Sequence, residues 1–129
     1  MPGFFSTEII SKLEIRMDCL FCKIAQGELN TNFVYEDEDI VAFEDIAPQA
    51  PTHILCIPRK HISTVNDLNE VDAALTGKLS LVASKIAKQR GLANSGYRLV
   101  MNCNEHGGQT VFHIHLHLLA GRAMSWPPG

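Results

Sequence analysis

Between Gly107 and Leu119 the chain places three of its six histidines, His113, His115 and His117, at strict alternation. In a β-strand, residues at i, i+2 and i+4 share one face, so the three imidazoles are expected on one side with Ile114, Leu116 and Leu118 buried on the other. A strand that only fills a sheet puts Thr, Ser or Lys on its polar face. Imidazole changes charge and acts as a nucleophile near neutral pH, so the pattern points to chemistry. Alternate strand residues lie about 6.5–7 Å apart, an awkward span for three rings to meet on one metal with bonds of about 2 Å. A phosphate group is wide enough to bridge two of them. Gly107 and Gly108 are expected to free backbone N–H groups for an anion, and the Thr110 hydroxyl adds a neutral donor.

The remaining sequence predicts a single α+β domain of ordinary hydrophobic content, 129 residues with 46% apolar side chains. A net charge of -3 supplies no electrostatic footprint for a nucleic acid polymer. No apolar run approaches the roughly 20 residues that cross a bilayer, and Glu8, Lys12, Glu14 and Arg16 interrupt the amino terminus in a way secretory signals do not. A cytoplasmic protein with no membrane partner is expected. Residues 1–16 are read as a peripheral or dispensable extension, and 17–129 as the domain. Four cysteines, Cys19, Cys22, Cys56 and Cys103, are too few and too uneven for a disulfide framework.

Local signals order the elements. A short helix is expected over Phe21–Gln26, with Asp18 as N-cap and Gly27 as its stop. Phe33–Tyr35 and Ile40–Phe43 read as a hairpin whose acidic turn, Glu36–Asp39, is solvated. After a proline-punctuated connection comes a strand over His53–Ile57. One long helix is expected between Asn66 and Gly91, on a stripe of Val71, Leu75, Leu79, Val82 and Ile86. Tyr97–Asn102 is the next strand, Cys103–Gly108, including His106, is a loop, and the histidine strand follows as the antiparallel partner. The tail from Ser125 to Gly129 is irregular because of its prolines.

The pair Cys19 and Cys22 is compatible with redox chemistry, simple packing or metal binding. Two further ligands are available in His61 and His113, and Cys2His2 is a common closed zinc set. Such a metal pins the amino-terminal helix to the central strand and leaves His115 and His117 for chemistry. Cys56 and Cys103 read as buried or idle thiols.

The run His113–Leu119 matches the H-φ-H-φ-H-φ-φ signature, and the chain resembles the histidine triad family, in particular its Hint branch of nucleoside phosphoramidases. The likeness extends from about Asp18 to Gly129 and includes Phe43–Ile46, Pro48–His53, Gly107–Thr110 and Trp126–Gly129. It implies an α+β fold with an antiparallel sheet, one long helix and a short amino-terminal helix, assembled as a homodimer with a continuous sheet. It also implies a purine nucleoside monophosphate bound across the sheet edge. His115 falls on the nucleophile, His117 on the phosphate-binding partner and His53 on a fourth active-site histidine that relays a proton. Asp45 matches the carboxylate that holds the ribose, and Phe21, Ile24, Phe43 and Ile46 match the slot for the base. Asn102, Gly108, Gln109, Thr110 and Val111 fall on the phosphate side, and Trp126 on an aromatic that reaches toward the partner subunit. Cys19, Cys22, His61 and His113 resemble the set of the zinc-containing branches.

Thr110 stands where many members carry serine; the hydroxyl is kept but its rotamers are restricted. The implied reaction cleaves the P–N bond of purine nucleoside 5′-phosphoramidates, and takes aminoacyl-adenylates as well, through a nucleotidyl-histidine and without a catalytic metal. His53 or Thr110 supplies the leaving amine's proton. Two other readings stay open: a dinucleoside polyphosphate hydrolase or nucleotidyltransferase of the same fold, and a non-catalytic nucleotide-binding scaffold.

Overall fold

The computed structural model describes residues 18–129, so the extension over 1–16 lies outside the described residues. The elements are helix α1 (Leu20–Ala25), strands β1 (Tyr35–Glu36), β2 (Ile40–Glu44) and β3 (Thr52–Pro58), helix α2 (Ala73–Gln89), strand β4 (Tyr97–Val100), a single-turn helix α3 (Asn104–Gly107) and strand β5 (Leu116–Ala120). The strands form one antiparallel sheet in the order β1-β2-β3-β5-β4. This is the expected α+β architecture.

Alternation along the central strands divides the core into two faces. Ile40, Ala42, Ile54, Cys56, Leu116 and Leu118 pack with Leu79, Val82, Ala83 and Ile86 of α2. Burial on this face pushes the Cys56 thiol up to about 12, which makes it an inert filler. On the opposite face, Val41, Phe43, Leu55 and Ile57 pack against Phe21, Cys22, Ile24 and Ala25 of α1. Helix α1 has only six residues, so it covers one end of that face. Registers Leu55↔His117 and His53↔Leu119 put both histidines on the face that α1 leaves partly uncovered.

Three local expectations are corrected. The N-cap of α1 is Cys19, not Asp18: its Sγ accepts from the Cys22 backbone N–H at 3.3 Å. The long helix starts at Ala73, because two successive capping signals, Thr64 with Asp67 and Asn69 with Asp72, each close a 3-10 turn over Val65–Asp67 and Glu70–Asp72. Val71 is consequently 83% exposed and drops out of the predicted stripe. Cys103–Gly108 contains α3, which Gly108 closes at φ 81° by donating its N–H to the Asn104 and Glu105 carbonyls.

The acidic turn is also more than a solvated run. Asp37 accepts from the Tyr35 hydroxyl at 2.6 Å and from the Asp39 and Ile40 amides at 2.8 Å each, and its other neighbour is Lys78 at 3.1 Å. Partial burial works to weaken it as an acid, but these donors outweigh it and hold the carboxyl well below the usual carboxylate range. Asp37→Ala is expected to destabilise the fold by about 1–3 kcal/mol and Asp39→Ala by less than about 1 kcal/mol. The check is the shift in urea midpoint at unchanged slope.

Candidate active site

The histidine run is not one continuous strand. Strand β5 begins only at Leu116, because β3 ends at Pro58, which has no N–H to extend the ladder. The Pro58 carbonyl instead lies 2.7 Å from His113 Nε2, and the Ile114 N–H donates to the Ile62 carbonyl at 2.8 Å. All three rings keep the expected common face, since Ile114, Leu116 and Leu118 pack on the α2 side and Phe21 meets both His113 and His115, at 6.0 and 5.1 Å, but their partners differ. His113 turns toward His61, with ring centroids 5.1 Å apart, while His115 and His117 pair at 4.9 Å.

Carbonyl oxygens only accept and amides only donate, so the backbone partners assign the neutral tautomers. His115 Nδ1 donates to the His113 carbonyl at 2.8 Å, leaving the lone pair on Nε2. His53 Nδ1 accepts from the Gln49 N–H at 3.0 Å, so His53 Nε2 is the donor. That donor points to His117 Nδ1 at 2.8 Å, and the proton of His117 is thereby placed on Nε2. His117 Nε2 is buried and has no hydrogen-bond partner among the described residues. One ring thus offers a nucleophilic lone pair, and its neighbour offers a desolvated N–H that lacks an acceptor.

Burial lowers the basicity of each ring. It takes His117 down to about 4, aided by the proximity of His115 and His53. His115 and His53 shift the same way, against the opposing pull of Asp45. All three are neutral near pH 7, as the tautomer assignment requires. Phe21 closes the site from above, its ring 5.1 Å from His115 at 90°.

His113 is fully buried, and its Nε2–H is committed to Pro58, so Nδ1 carries the lone pair. That nitrogen lies 3.4 Å from Cys19 Sγ and 3.5 Å from Cys22 Sγ, and His61 Nδ1 lies 3.3 Å from Cys22 Sγ. The four donor atoms all fall within 4.8 Å of one another. Tetrahedral zinc with ordinary Zn–S and Zn–N bonds separates a sulfur from a nitrogen ligand by about 3.5 Å, so the cluster fits the metal. Each imidazole is also oriented from behind, His113 by Pro58 and His61 by Ser63 Oγ at 3.1 Å.

Comparison with known proteins agrees with this geometry. The HIT domain family matches residues 26–124. The chain belongs to the HIT family. It is 51% identical over 107 residues to the purine nucleoside phosphoramidase of Escherichia coli K12, covering 83% of this chain and 90% of that protein. A HIT family hydrolase from Legionella pneumophila superposes with a TM-score of 0.85 at 59% identity, covering 87% of this chain and all of the other. A zinc-bound histidine triad protein from Mycobacterium smegmatis superposes with a TM-score of 0.71 at 33% identity, over 83% and 77% of the two chains.

Other HIT-type positions are distributed unevenly. Phe21 and Phe43 meet edge to face at 5.6 Å with Ile24 buried beside them, whereas Ile46 is entirely exposed. Asp45 Oδ1 accepts from the Ala47 N–H at 2.8 Å, the work of a turn former, and Oδ2 lies 3.5 Å from His53 Nε2. The buried Gln109 side chain accepts from the Asn104 N–H and donates to the Ser63 and Val111 carbonyls. Its own N–H, like that of Gly108, is taken up within the α3 turn. The expected opening of the Gly108 amide toward an anion is therefore not seen. Thr110 is exposed, Asn102 lines a cavity with His53 and His117, and Trp126 is 83% exposed. Pro58 and Gln49 escape sequence reasoning because they act through main-chain atoms, which carry no side-chain signal.

Two outcomes are expected. Because the unfolded chain protonates its histidines near 6.5 while folded His117 resists to about 4, the unfolded state binds more protons between those values. Stability falls as pH drops through that window, and His117→Gln reduces the difference in urea midpoint between pH 7 and pH 5. Separately, chelator-free protein is expected to contain about one zinc per chain. Cys22→Ser should lose most of that metal and melt at lower temperature, as read by elemental analysis and calorimetry.

Proposed function

We propose that the protein is a purine nucleoside phosphoramidase that hydrolyses the P–N bond of nucleoside 5′-phosphoramidates and, at the same phosphorus, the acyl P–O bond of aminoacyl-adenylates. The observation that carries this reading is the buried, partnerless Nε2–H of His117 beside the free Nε2 lone pair of His115. A phosphoryl group supplies what each lacks: an anionic oxygen for His117 and an electrophilic phosphorus for His115. The resemblance to the Escherichia coli phosphoramidase supports the choice of substrate.

In this reading the base lies against Phe21, Ile24, Phe43 and Ile46, and Asp45 holds the ribose. His115 Nε2 attacks phosphorus, the P–N bond breaks, and the amine nitrogen keeps the electron pair and takes a proton from the exposed Thr110 hydroxyl. The nucleotidyl-imidazole carries positive charge, which the Nδ1–H bond to the His113 carbonyl stabilises. Water then forms the new P–O bond and returns one proton to Thr110 Oγ, while the electron pair of the P–N linkage returns to Nε2, releasing the monophosphate. His53 keeps the His117 proton on the phosphate side throughout.

Cys19, Cys22, His61 and His113 would hold a structural zinc. Zinc held there would join α1 to the segment leading into β5 and so hold Phe21 over His115. The strand β4 forms one border of the sheet, and a homodimer that continues the sheet across that border, with Trp126 reaching the partner, is part of the proposal.

Adenosine 5′-phosphoramidate of a simple amine should release AMP, and His115→Ala should lower turnover by at least about a thousandfold while nucleotide still binds. Binding of AMP without turnover by the wild-type protein would establish the scaffold reading instead. Faster cleavage of a dinucleoside polyphosphate would establish the polyphosphate reading.

A further inference from the structure

Arg59 follows Pro58, and its guanidinium collects segments that are distant in sequence. Nη1 donates to the Ala25 carbonyl at 2.7 Å, Nε donates to the Asp37 carbonyl at 2.8 Å, and Nη2 lies 3.5 Å from a Glu36 carboxylate oxygen. The Arg59 backbone N–H donates to the Asp39 carbonyl at 2.8 Å. The two short side-chain bonds thus go to main-chain oxygens, whereas Lys60, Lys78 and Arg90 each face a carboxylate at comparable or shorter range.

Ala25 is the last residue of α1, and the final carbonyls of a helix have no partner within it. Here the Cys22 and Ile24 carbonyls accept from the Gln26 N–H, and the Lys23 carbonyl accepts from the Glu28 N–H. Arg59 serves the Ala25 carbonyl, in a residue that is itself buried. A cation at this end also meets the negative pole of the helix. A helix of six residues does not hold its own place, so its position depends on what grips its two ends.

Both grips originate in the same dipeptide. At the amino-terminal end Cys19 and Cys22 face His113, which the Pro58 carbonyl orients; at the carboxy-terminal end stands Arg59. Between them lie Phe21 and Ile24, with Phe21 edge to face against Phe43 at 5.6 Å and Ile24 in the same cluster. We infer that Arg59 is a positioning residue for base recognition: by tying the end of α1 to the turn between β1 and β2, it sets the gap between Phe21 and Ile24 on one wall and Phe43 on the other. The groups that orient His115, His53 and His117 are the His113 carbonyl, the Gln49 amide and the rings themselves, so the effect falls on the base and not on the phosphate. This assignment rests on the placement of the base in the phosphoramidase reading and adds the residue that sets its fit.

The test compares the calorimetric Kd of AMP with that of ribose 5-phosphate, which keeps the sugar and phosphate and lacks the base. Wild-type protein should prefer AMP by about a hundredfold, the worth of packing a base against aromatic side chains. Arg59→Met keeps the apolar stem and removes every donor. In it the preference should fall by about tenfold through weaker AMP binding, with ribose 5-phosphate changed by less than about twofold. Arg59→Lys, which keeps a cation, should recover part of the preference, and Glu36→Gln, which removes only the exposed ion pair, should leave it within about twofold. An unchanged preference in Arg59→Met overturns the inference. So does an equal loss of both ligands, because a residue that only braces the fold lowers the binding-competent fraction for both alike. A loss in Glu36→Gln as large as that in Arg59→Met assigns the effect to the ion pair and overturns it too. Should Arg59→Met not fold, Arg59→Gln is read by the same ratio and the same outcomes. A wild-type protein without a preference for AMP removes the base slot itself, and the inference with it, whereas a wild-type preference that survives in the Arg59 variants removes this inference alone.

Discussion

The bond from His113 Nε2 to the Pro58 carbonyl, at 2.7 Å, is the constraint on which the rest of the site depends. Pro58 ends the ladder of β3 and leaves its carbonyl available. By taking it, His113 presents Nδ1 to the two thiols and turns its own backbone carbonyl toward His115 Nδ1. One terminated strand thus sets both the metal-type cluster and the tautomer of the reactive ring. A second chain of the same kind, from the Gln49 amide through His53 to His117, sets the other half. The two chains converge on one space, into which they direct one lone pair and one N–H.

How far these features can be read in the sequence depends on the range of the interaction. Alternation of apolar residues located β2, β3 and β5, and the spacing of Leu79, Val82 and Ile86 located α2, since each is decided by one buried face. The strict alternation of the histidines predicted a shared face for all three rings, and it holds, with Ile114, Leu116 and Leu118 packed on the α2 side and Phe21 meeting both His113 and His115 on the other; what the pattern did not show is that the strand begins only at Leu116. The start of α2 failed for a local reason. Thr64 and Asn69 each present a capping signal, and the chain satisfies both in turn before the helix begins. The Cys19, Cys22, His61 and His113 grouping was legible because donor chemistry restricts it to few residue types.

The division of labour also explains the asymmetry of the sheet. The α2 side is closed by aliphatic packing, while the α1 side is closed only over Phe43, Leu55 and Ile57. A longer α1 would bury His53 and His117 from substrate, and a detached one would remove Phe21 from His115. The cysteine at the N-cap lets a six-residue helix be held at the needed place, since the same sulfur that caps the helix faces the His113 ring.

Most of the groups that orient the imidazoles belong to the main chain: the carbonyls of Pro58 and His113 and the amide of Gln49. At Gln49 a side-chain replacement leaves the orienting amide in place so long as the backbone path holds, and Pro58 and His113 set that path. The proton arrangement of the site therefore depends on where the backbone runs and little on which side chains line the cavity beside it. A scaffold with that property is suited to changing what it cleaves while keeping how it cleaves.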